Sequence, residues 1–255
     1  WARGWERVGE GEGEGELEGC EGDEERAMLR ENSGHAEVIA EAGDAVRMHP
    51  LAVLARGQFW AIYVLIAAVV GSAVMCIQNL DLILASAAGA PTGASVQRLI
   101  VTLSLLNLGG RWMGGVLSDA ARNSAARVPR LAALAVSAAA LAAAAAAFRV
   151  AGTGAGVVAV LNIGAALVGA AEGIAFGTWP TAVRETFGSE TFAGNLAMMN
   201  SACGVGSVLW LRAADALSKG CEGAGCMDRA YTALMAVNGA FVVYVGMLVF
   251  WMFPS

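Results

Sequence analysis

The sequence predicts an all-α membrane protein in which six transmembrane helices follow a disordered acidic segment. Three observations support this prediction. The 255 residues are 57% hydrophobic with a mean hydropathy of +0.58, whereas soluble domains are about 45–50% apolar. Apolar runs long enough to cross a bilayer recur along the chain. Most of the acidic side chains lie before the first of these runs.

The acidic segment is residues 1–46, which carry 14 acidic and 4 basic side chains and include the run GEGEGELEGCEGDEE. Such a composition buries too little apolar surface to offset the entropy lost on ordering, so a disordered cytosolic loop or tail is predicted. The remaining 209 residues, 47–255, carry 8 acidic and 12 basic side chains and form the predicted transmembrane domain. The acidity of the chain therefore belongs to its first segment.

Six apolar runs divide the transmembrane domain. A spanning helix needs about 20 predominantly apolar residues, and the backbone in hydrocarbon must satisfy its own hydrogen bonds, which favours helices. The predicted spans are approximately residues 58–80, 96–118, 131–149, 155–178, 191–212 and 230–253.

Glycine spacing and loop charge refine this prediction. Gly164, Gly169, Gly173 and Gly177 recur every four or five residues, which keeps them near one helix face and indicates a seam of close packing. The loop DAARNSAARVPR between the second and third spans holds three arginines. The positive-inside rule places such a loop in the cytosol, so both termini are predicted to be cytosolic.

Three stretches resemble the nodulin-like branch of the major facilitator superfamily. FWAIYVLIAAVVGSAVMCIQNLDLILAS resembles the seventh helix of that branch, and GRWMGGVLSDAARNSAAR is similar to the loop between helices eight and nine. The run from FGTWPTAVRETFG to CEGAGC resembles the last loops of the branch. Ala120 replaces the basic residue that usually follows the motif aspartate, and Thr186 separates Glu185 from Phe187. The resemblance covers roughly residues 50–253.

This resemblance implies a secondary active transporter that moves a small solute by alternating access, with this chain as its C-terminal six-helix half. The substrate would then lie between this half and an N-terminal half, supplied by the same chain or by a partner. By analogy with carriers in the family, an organic anion is the expected substrate class. Gly115, Asp119 and Arg122 are the implied gating-loop residues. Cys221 and Cys226 match a lumenal cysteine pair, and their spacing permits a local disulfide.

Ionisable side chains inside spans are costly and mark functional positions. Arg111 and Glu172 are the two such residues and lie at similar predicted depth. One hypothesis is an ion pair that is remade during alternating access, or a coupling proton carried by Glu172. The alternatives are a static structural pair, or Glu172 facing a water-filled vestibule. The amides of Asn79, Asn162 and Asn200 are further candidates for substrate contact, with helix–helix hydrogen bonding as the competing interpretation.

The sequence contains few features that would indicate a function other than transport. Both histidines, His35 and His49, precede the spans, and the cysteines lack metal-site spacing, so no metal and no cofactor are expected. Catalytic motifs and nucleic-acid features are also missing from the sequence, so an enzyme is not predicted. The alternative to a transporter is a non-transporting membrane protein with a structural or partner-binding role. The sequence leaves plasma membrane and vacuolar or other endomembranes open.

Overall fold

The structure is a computed structural model that describes residues 50–88, 93–124, 128–151, 156–220 and 227–252. The predicted disordered segment therefore lies outside the described residues. Within them, a single helical turn at Pro50–Val53 is followed by seven helices and no strands. The helices are α1 (Gly57–Gln78), α2 (Leu80–Ala88), α3 (Gly93–Asn123), α4 (Ala132–Ala151), α5 (Val157–Phe187), α6 (Phe192–Ser218) and α7 (Asp228–Met252).

Five of these helices are long and apolar enough to cross a membrane, namely α1, α3, α4, α5 and α7. They indicate a multi-pass integral membrane protein. Helix α6 coincides with the predicted span at 191–212 and has 27 residues, but it is not among these five helices. Asn195, Asn200 and several glycines and serines interrupt its hydrophobic residues. A sixth span at α6 stays a prediction.

Two helices continue further than the apolar runs suggested, and one short helix was not predicted. Helix α3 ends at Asn123 instead of near residue 118, and α5 ends at Phe187 instead of near residue 178. Charged residues extend both helices, and Pro180 lies inside α5. Helix α2 follows α1 directly and has Asp81 in its first turn. This charge interrupts the apolar run, so the sequence pattern did not indicate a separate helix here.

The predicted glycine seam joins α5 to α3. A Cβ atom added to Gly169, Gly173 or Gly177 would lie 2.2, 2.2 and 2.4 Å from the carbonyl oxygens of Leu103, Asn107 and Arg111, respectively. Because the contacting positions rise together along both helices, α3 and α5 run parallel. Gly164 faces elsewhere, since its added Cβ would lie 2.3 Å from the Phe148 ring of α4. Three of the four predicted glycines therefore form the α3–α5 seam.

A second parallel pair consists of α1 and α6. A Cβ on Gly206 would lie 2.0 Å from the carbonyl oxygen of Ala67. Trp210 also donates a hydrogen bond from Nε1 to the carbonyl oxygen of Ala68 at 3.1 Å. Helix α1 contributes buried side chains all along its length and lies at the centre of the bundle.

Helices α4 and α7 complete the bundle. The rings of Phe148 and Tyr231 lie 5.8 Å apart between these two helices. Helix α7 also contacts α1 through a buried polar pair, in which Ser72 Oγ lies 3.4 Å from Asn238 Oδ1. A polar pair of this kind joins helices in a hydrocarbon environment.

Candidate functional site

A polar cluster lies between α3 and α5, beside the glycine seam. Asn107 donates a hydrogen bond from Nδ2 to Glu172 Oε2 at 2.6 Å, and its Oδ1 accepts a hydrogen bond from Arg111 Nε at 2.9 Å. The two amide atoms of one asparagine thus connect a cation to a carboxylate. Asn107 and Arg111 are four residues apart on α3, so both side chains lie on the same helix face.

The predicted direct ion pair between Arg111 and Glu172 is not formed in this structure. Among the described residues, the salt bridges involve other side chains, and Asn107 separates the two charges. The reason is geometric: the seam glycines bring the backbones together, and Asn107, one helical turn before Arg111, lies closer to Glu172. Asn107 thus bridges the two charged side chains in this structure, and an ion pair that is remade during alternating access stays a prediction.

The Arg111 guanidinium contacts protein groups through its ring-facing side and its Nε atom. Its guanidinium carbon lies 4.8 Å from the centroid of the Phe176 ring, a cation–π contact that orients the group. Its Nε is bonded to Asn107, while the terminal nitrogens have no hydrogen-bond partner among the described residues. Arg111 is exposed and Glu172 is half-buried. The guanidinium therefore presents two terminal NH2 groups with no partner among the described residues, and their N–H donors suit a carboxylate or another anion.

A second polar contact joins the same two helices nearer their first residues. Thr102 donates a hydrogen bond from Oγ1 to Asn162 Oδ1 at 3.3 Å, and Asn162 Nδ2 donates to the carbonyl oxygen of Val158 at 2.7 Å. Both functional atoms of the predicted candidate Asn162 are thus engaged within the helices. This arrangement corresponds to the helix–helix alternative for Asn162.

Asn79 and Asn200 have different surroundings. Asn79 follows the last residue of α1 and donates a hydrogen bond from Nδ2 to the carbonyl oxygen of Met75 at 2.9 Å, which caps the helix end. Asn200 is exposed on α6, and its amide makes no hydrogen bond within the described part of the chain. Its neighbour Ser201 lies 3.0 Å from the hydroxyl of Tyr63 on α1. Asn200 stays available as a candidate contact, and Asn79 has a structural role.

The implied gating-loop residues belong to a helix. Gly115, Asp119 and Arg122 all lie within α3, which continues to Asn123, and their gating role stays a prediction. Charged side chains that pair with a neighbouring helix extend α3 beyond its apolar part. Gly115 makes only an ordinary contact, because a Cβ added there would lie 3.9 Å from Gly177 O; Gly114 makes the close one, at 2.9 Å from Ile174 Cα.

Asp119 and Arg122 form part of an ion cluster with Arg130 and Glu185, called here the Arg130 cluster. Arg130 donates to Glu185 Oε1 at 2.8 Å and also pairs with Asp119. Arg122 pairs with the second oxygen of Glu185. Burial lowers the pKa of Arg130, but the hydrogen bonds to Glu185 and Asp119 outweigh it and raise that pKa above its usual value. The cluster joins the ends of α3 and α5 to the start of α4.

Arg122, Arg130 and Glu185 of the Arg130 cluster line a cavity of about 230 Å³ that also touches Gln58 at the start of α1. Residues of α1, α3 and α5 and of the segment before α4 therefore meet there around two cations and one carboxylate, and Asp119 also pairs with Arg130. The side chain of Arg130 is 14% exposed, against 46% for Arg122. Arg130 is the more buried cation, and it contacts both carboxylates.

Sequence reasoning missed Asn107, Phe176, Arg130 and Glu185 as site residues. Asn107 carried a usable signal, since it is an amide within an apolar run and lies one turn before Arg111. Three arginines in one loop gave no means of choosing Arg130 over the others. The predicted pair Cys221 and Cys226 lies outside the described residues.

Comparisons with known proteins add no relative: no protein-family model, curated protein or solved structure matches the chain. The chain has the architecture of an all-helical, multi-pass integral membrane protein, with charged groups clustered between two of its apolar helices.

Proposed function

We propose that this protein is a secondary active transporter of the major facilitator type, in which the chain supplies one six-helix half. The proposed substrate is a small organic anion. The observation that carries the proposal is the cluster of Arg111, Asn107 and Glu172, because ionisable groups inside apolar helices are costly and mark substrate or ion pathways.

The pairing of helices supports the transporter architecture. Taking α1, α3 and α4 as one group and α5, α6 and α7 as a second, the middle helix of each group packs parallel to the first helix of the other. These are the pairs α3–α5 and α6–α1. Each pair crosses at two glycines, with a Cβ on Gly110 3.1 Å from Gly173 Cα and a Cβ on Gly71 2.8 Å from Gly206 Cα. Such exchange is expected of the two three-helix repeats within each half of a major facilitator.

The geometry of Arg111 supports an anionic substrate. Its Nε is occupied by Asn107 and its face by Phe176. The terminal nitrogens, which have no partner in the part of the chain that the structure describes, are thus the groups left to bind a ligand. Glu172 partly offsets the charge of Arg111, with Asn107 hydrogen-bonded to both side chains. A bound carboxylate would compete for Arg111 and weaken its link to Asn107. Substrate binding and the state of Glu172 would thus be coupled through one amide side chain.

The Arg130 cluster supports alternating access. It joins the ends of α3 and α5 to the start of α4 through four charged side chains. Exposed ion pairs contribute little stability individually, typically about 0–1 kcal/mol, so water can replace the half-exposed Arg122 in its pair with Glu185 at small cost. A cluster of this kind can therefore close one end of a central path in one state and open in the other. In the predicted orientation this end is cytosolic.

A binding experiment tests the proposal. The purified protein is heated with a panel of mono- and dicarboxylates, and the midpoint of unfolding is recorded. A ligand at one hundred times its Kd stabilises the folded state by about 2.7 kcal/mol, which a thermal-shift assay detects. The stabilisation should vanish in Arg111→Gln and persist in the matched control Arg149→Gln, whose arginine is exposed at the end of α4.

Uptake of the stabilising anion into proteoliposomes then tests transport itself. The proposal predicts uptake by the wild-type protein and none by Arg111→Gln. If no carboxylate stabilises the protein, or if Arg111→Gln binds as well as the wild type, the anion-transporter proposal is wrong.

A further inference from the structure

A groove between α1 and α7 opens on the side of the bundle. Its volume is about 470 Å³, and its walls include Trp60 and Val64 from α1 and Ala240, Phe241 and Tyr244 from α7. Trp60 and Val64 are each about half exposed, at 50% and 49%. A dry apolar cavity of about 150 Å³ is already large enough to bind benzene. This groove therefore has room for an extended hydrocarbon chain.

The polar atoms of the groove are already hydrogen-bonded within the protein. Trp60 donates from Nε1 to the carbonyl oxygen of Leu54 at 2.9 Å, and Tyr244 donates from its hydroxyl to the carbonyl oxygen of Ala61 at 3.2 Å. Both aromatic rings are thereby fixed with their apolar faces at the groove. An occupant finds hydrocarbon on the walls and no free donor or acceptor from these two side chains.

One end of the groove is cationic. Arg56 immediately precedes the groove residue Gly57, is exposed, and has no ion-pair partner in the portion of the chain that the structure describes. From Gly57 to Val64 the helix rises by about 10 Å. The groove thus runs from a positive charge along one to two turns of apolar wall.

Aromatic residues place this end of the groove at the membrane surface. Helix α7 runs antiparallel to α1, because Tyr244 contacts Ala61 while Asn238 contacts Ser72. The exposed side chains of Phe250 and Trp251 therefore lie toward the end of the bundle where α1 begins. Tryptophan, with Trp60 a further example, is enriched at the level of the lipid headgroups.

We propose that this groove binds an anionic phospholipid, with an acyl chain between α1 and α7 and the phosphate at Arg56. The groove offers an apolar wall where the acyl chains lie and a cation where the headgroups lie, which is the charge and polarity pattern of a phospholipid. This site is separate from the Arg111 cluster, and its occupancy does not depend on transport.

The test uses the full chain in phosphatidylcholine nanodiscs that contain a minor fraction of phosphatidylglycerol. The probe is phosphatidylglycerol with a diazirine group in the middle of one acyl chain, and cross-linked peptides are identified by mass spectrometry. Cross-links should concentrate on the α1 and α7 residues of the groove. Ala240→Trp fills the groove and should reduce this labelling to the level of other exposed faces, whereas Ala139→Trp, at an exposed position on α4, should leave it unchanged.

The headgroup part of the proposal has its own variant. Arg56→Gln should lower the preference of the groove for the phosphatidylglycerol probe over a phosphatidylcholine probe about fivefold, and Arg149→Gln should not. Equal labelling of the groove and the outer face of α3, or labelling that survives Ala240→Trp, would overturn the proposal. Cross-links from the groove to a second copy of the chain, in place of lipid, would overturn it as well.

Discussion

Gly71 and Gly206 touch backbone to backbone where α1 crosses α6: a Cβ added to Gly71 would lie 2.4 Å from the carbonyl carbon of Gly206. No side chain fits between the two helices at this point. The contact fixes the distance between the central helix of the bundle and α6.

Replacing Gly206 should therefore destabilise the fold. In Gly206→Ala the new methyl would lie 2.0 Å from the carbonyl oxygen of Ala67, and overpacking of this kind costs about 1–3 kcal/mol. Gly204 is the matched control, because a Cβ there meets nothing within 4 Å. Unfolding free energies measured in bicelles should fall for Gly206→Ala and stay unchanged or rise for Gly204→Ala. Equal effects would contradict the proposed crossing.

The α3–α5 seam makes a second prediction about glycine. Gly173→Ala would place a methyl 2.2 Å from the carbonyl oxygen of Asn107 and should be among the most damaging substitutions in the bundle, whereas Gly115→Ala meets an atom only at 3.9 Å and should be tolerated. The resemblance to a gating motif had singled out Gly115. Unfolding free energies of the two variants decide between the packing and the motif, since a severe loss in Gly115→Ala would favour the motif.

The hydrogen bond between Asn107 and Glu172 can be measured with a double-mutant cycle. Hydrogen bonds between membrane helices have coupling energies of about 0.6 kcal/mol on average and up to about 1.7. The short contact of 2.6 Å predicts a value in the upper half of that range for Asn107→Ala with Glu172→Ala. The Thr102–Asn162 pair, at 3.3 Å, is the comparison and should couple more weakly. The reverse order would show that Asn107 does not connect the two charges.

Arg130 and Arg122 should differ in importance within the Arg130 cluster. Arg130 is 14% exposed and contacts two carboxylates, whereas Arg122 is 46% exposed and contacts one. Exposed pairs typically contribute about 0.2–1 kcal/mol, and hydrogen bonds to charged groups about 1.5–3 kcal/mol. Arg130→Ala should thus lose more unfolding free energy than Arg122→Ala. If Arg122→Ala loses more unfolding free energy than Arg130→Ala, Arg130 is not the central cation of the cluster.

Glu172 tests the coupling mechanism. If this carboxylate carries a proton during transport, Glu172→Gln should abolish proton-driven uptake while leaving expression intact. The isosteric amide keeps an oxygen that can accept the Asn107 hydrogen bond, so folding should be preserved. The measurement is the pH dependence of uptake into proteoliposomes. A Glu172→Gln protein whose uptake keeps the wild-type pH dependence would remove Glu172 from the coupling path.

The sequence located the long helices well because length and apolarity are local properties. Five predicted spans correspond to apolar helices, and the glycine spacing anticipated the face of α5 that packs on α3. Helix ends were harder to predict. Asp119, Arg122 and Glu185 look like loop residues until their pairing across α3 and α5 is known. A hydropathy profile gives no information on which charged side chains of different helices form ion pairs.

The candidate site was predicted only in part, for a different physical reason. Counting residues gave Arg111 and Glu172 a similar predicted depth, and in the structure both charged side chains are hydrogen-bonded to Asn107. Direct contact depends on the rotation of both helices about their axes and on side-chain length. The close seam at Gly173 brings Asn107 within reach of Glu172, so the amide occupies the position between the charges. No counting of residues could have established this.

The parallel packing of α3 on α5 also has a consequence for how the protein is made. Helix α4 lies between these two helices in the chain, so α3 enters the membrane well before its closest partner has been synthesised. Its seam glycines Gly110 and Gly114 must then face lipid or temporary neighbours during that interval. The corresponding interval is longer for α1, because its partner α6 is synthesised only after α5. The tightest contacts of the bundle therefore form late in biogenesis, and an insertion factor that shields small-residue helix faces would be needed most while α3 and α1 wait.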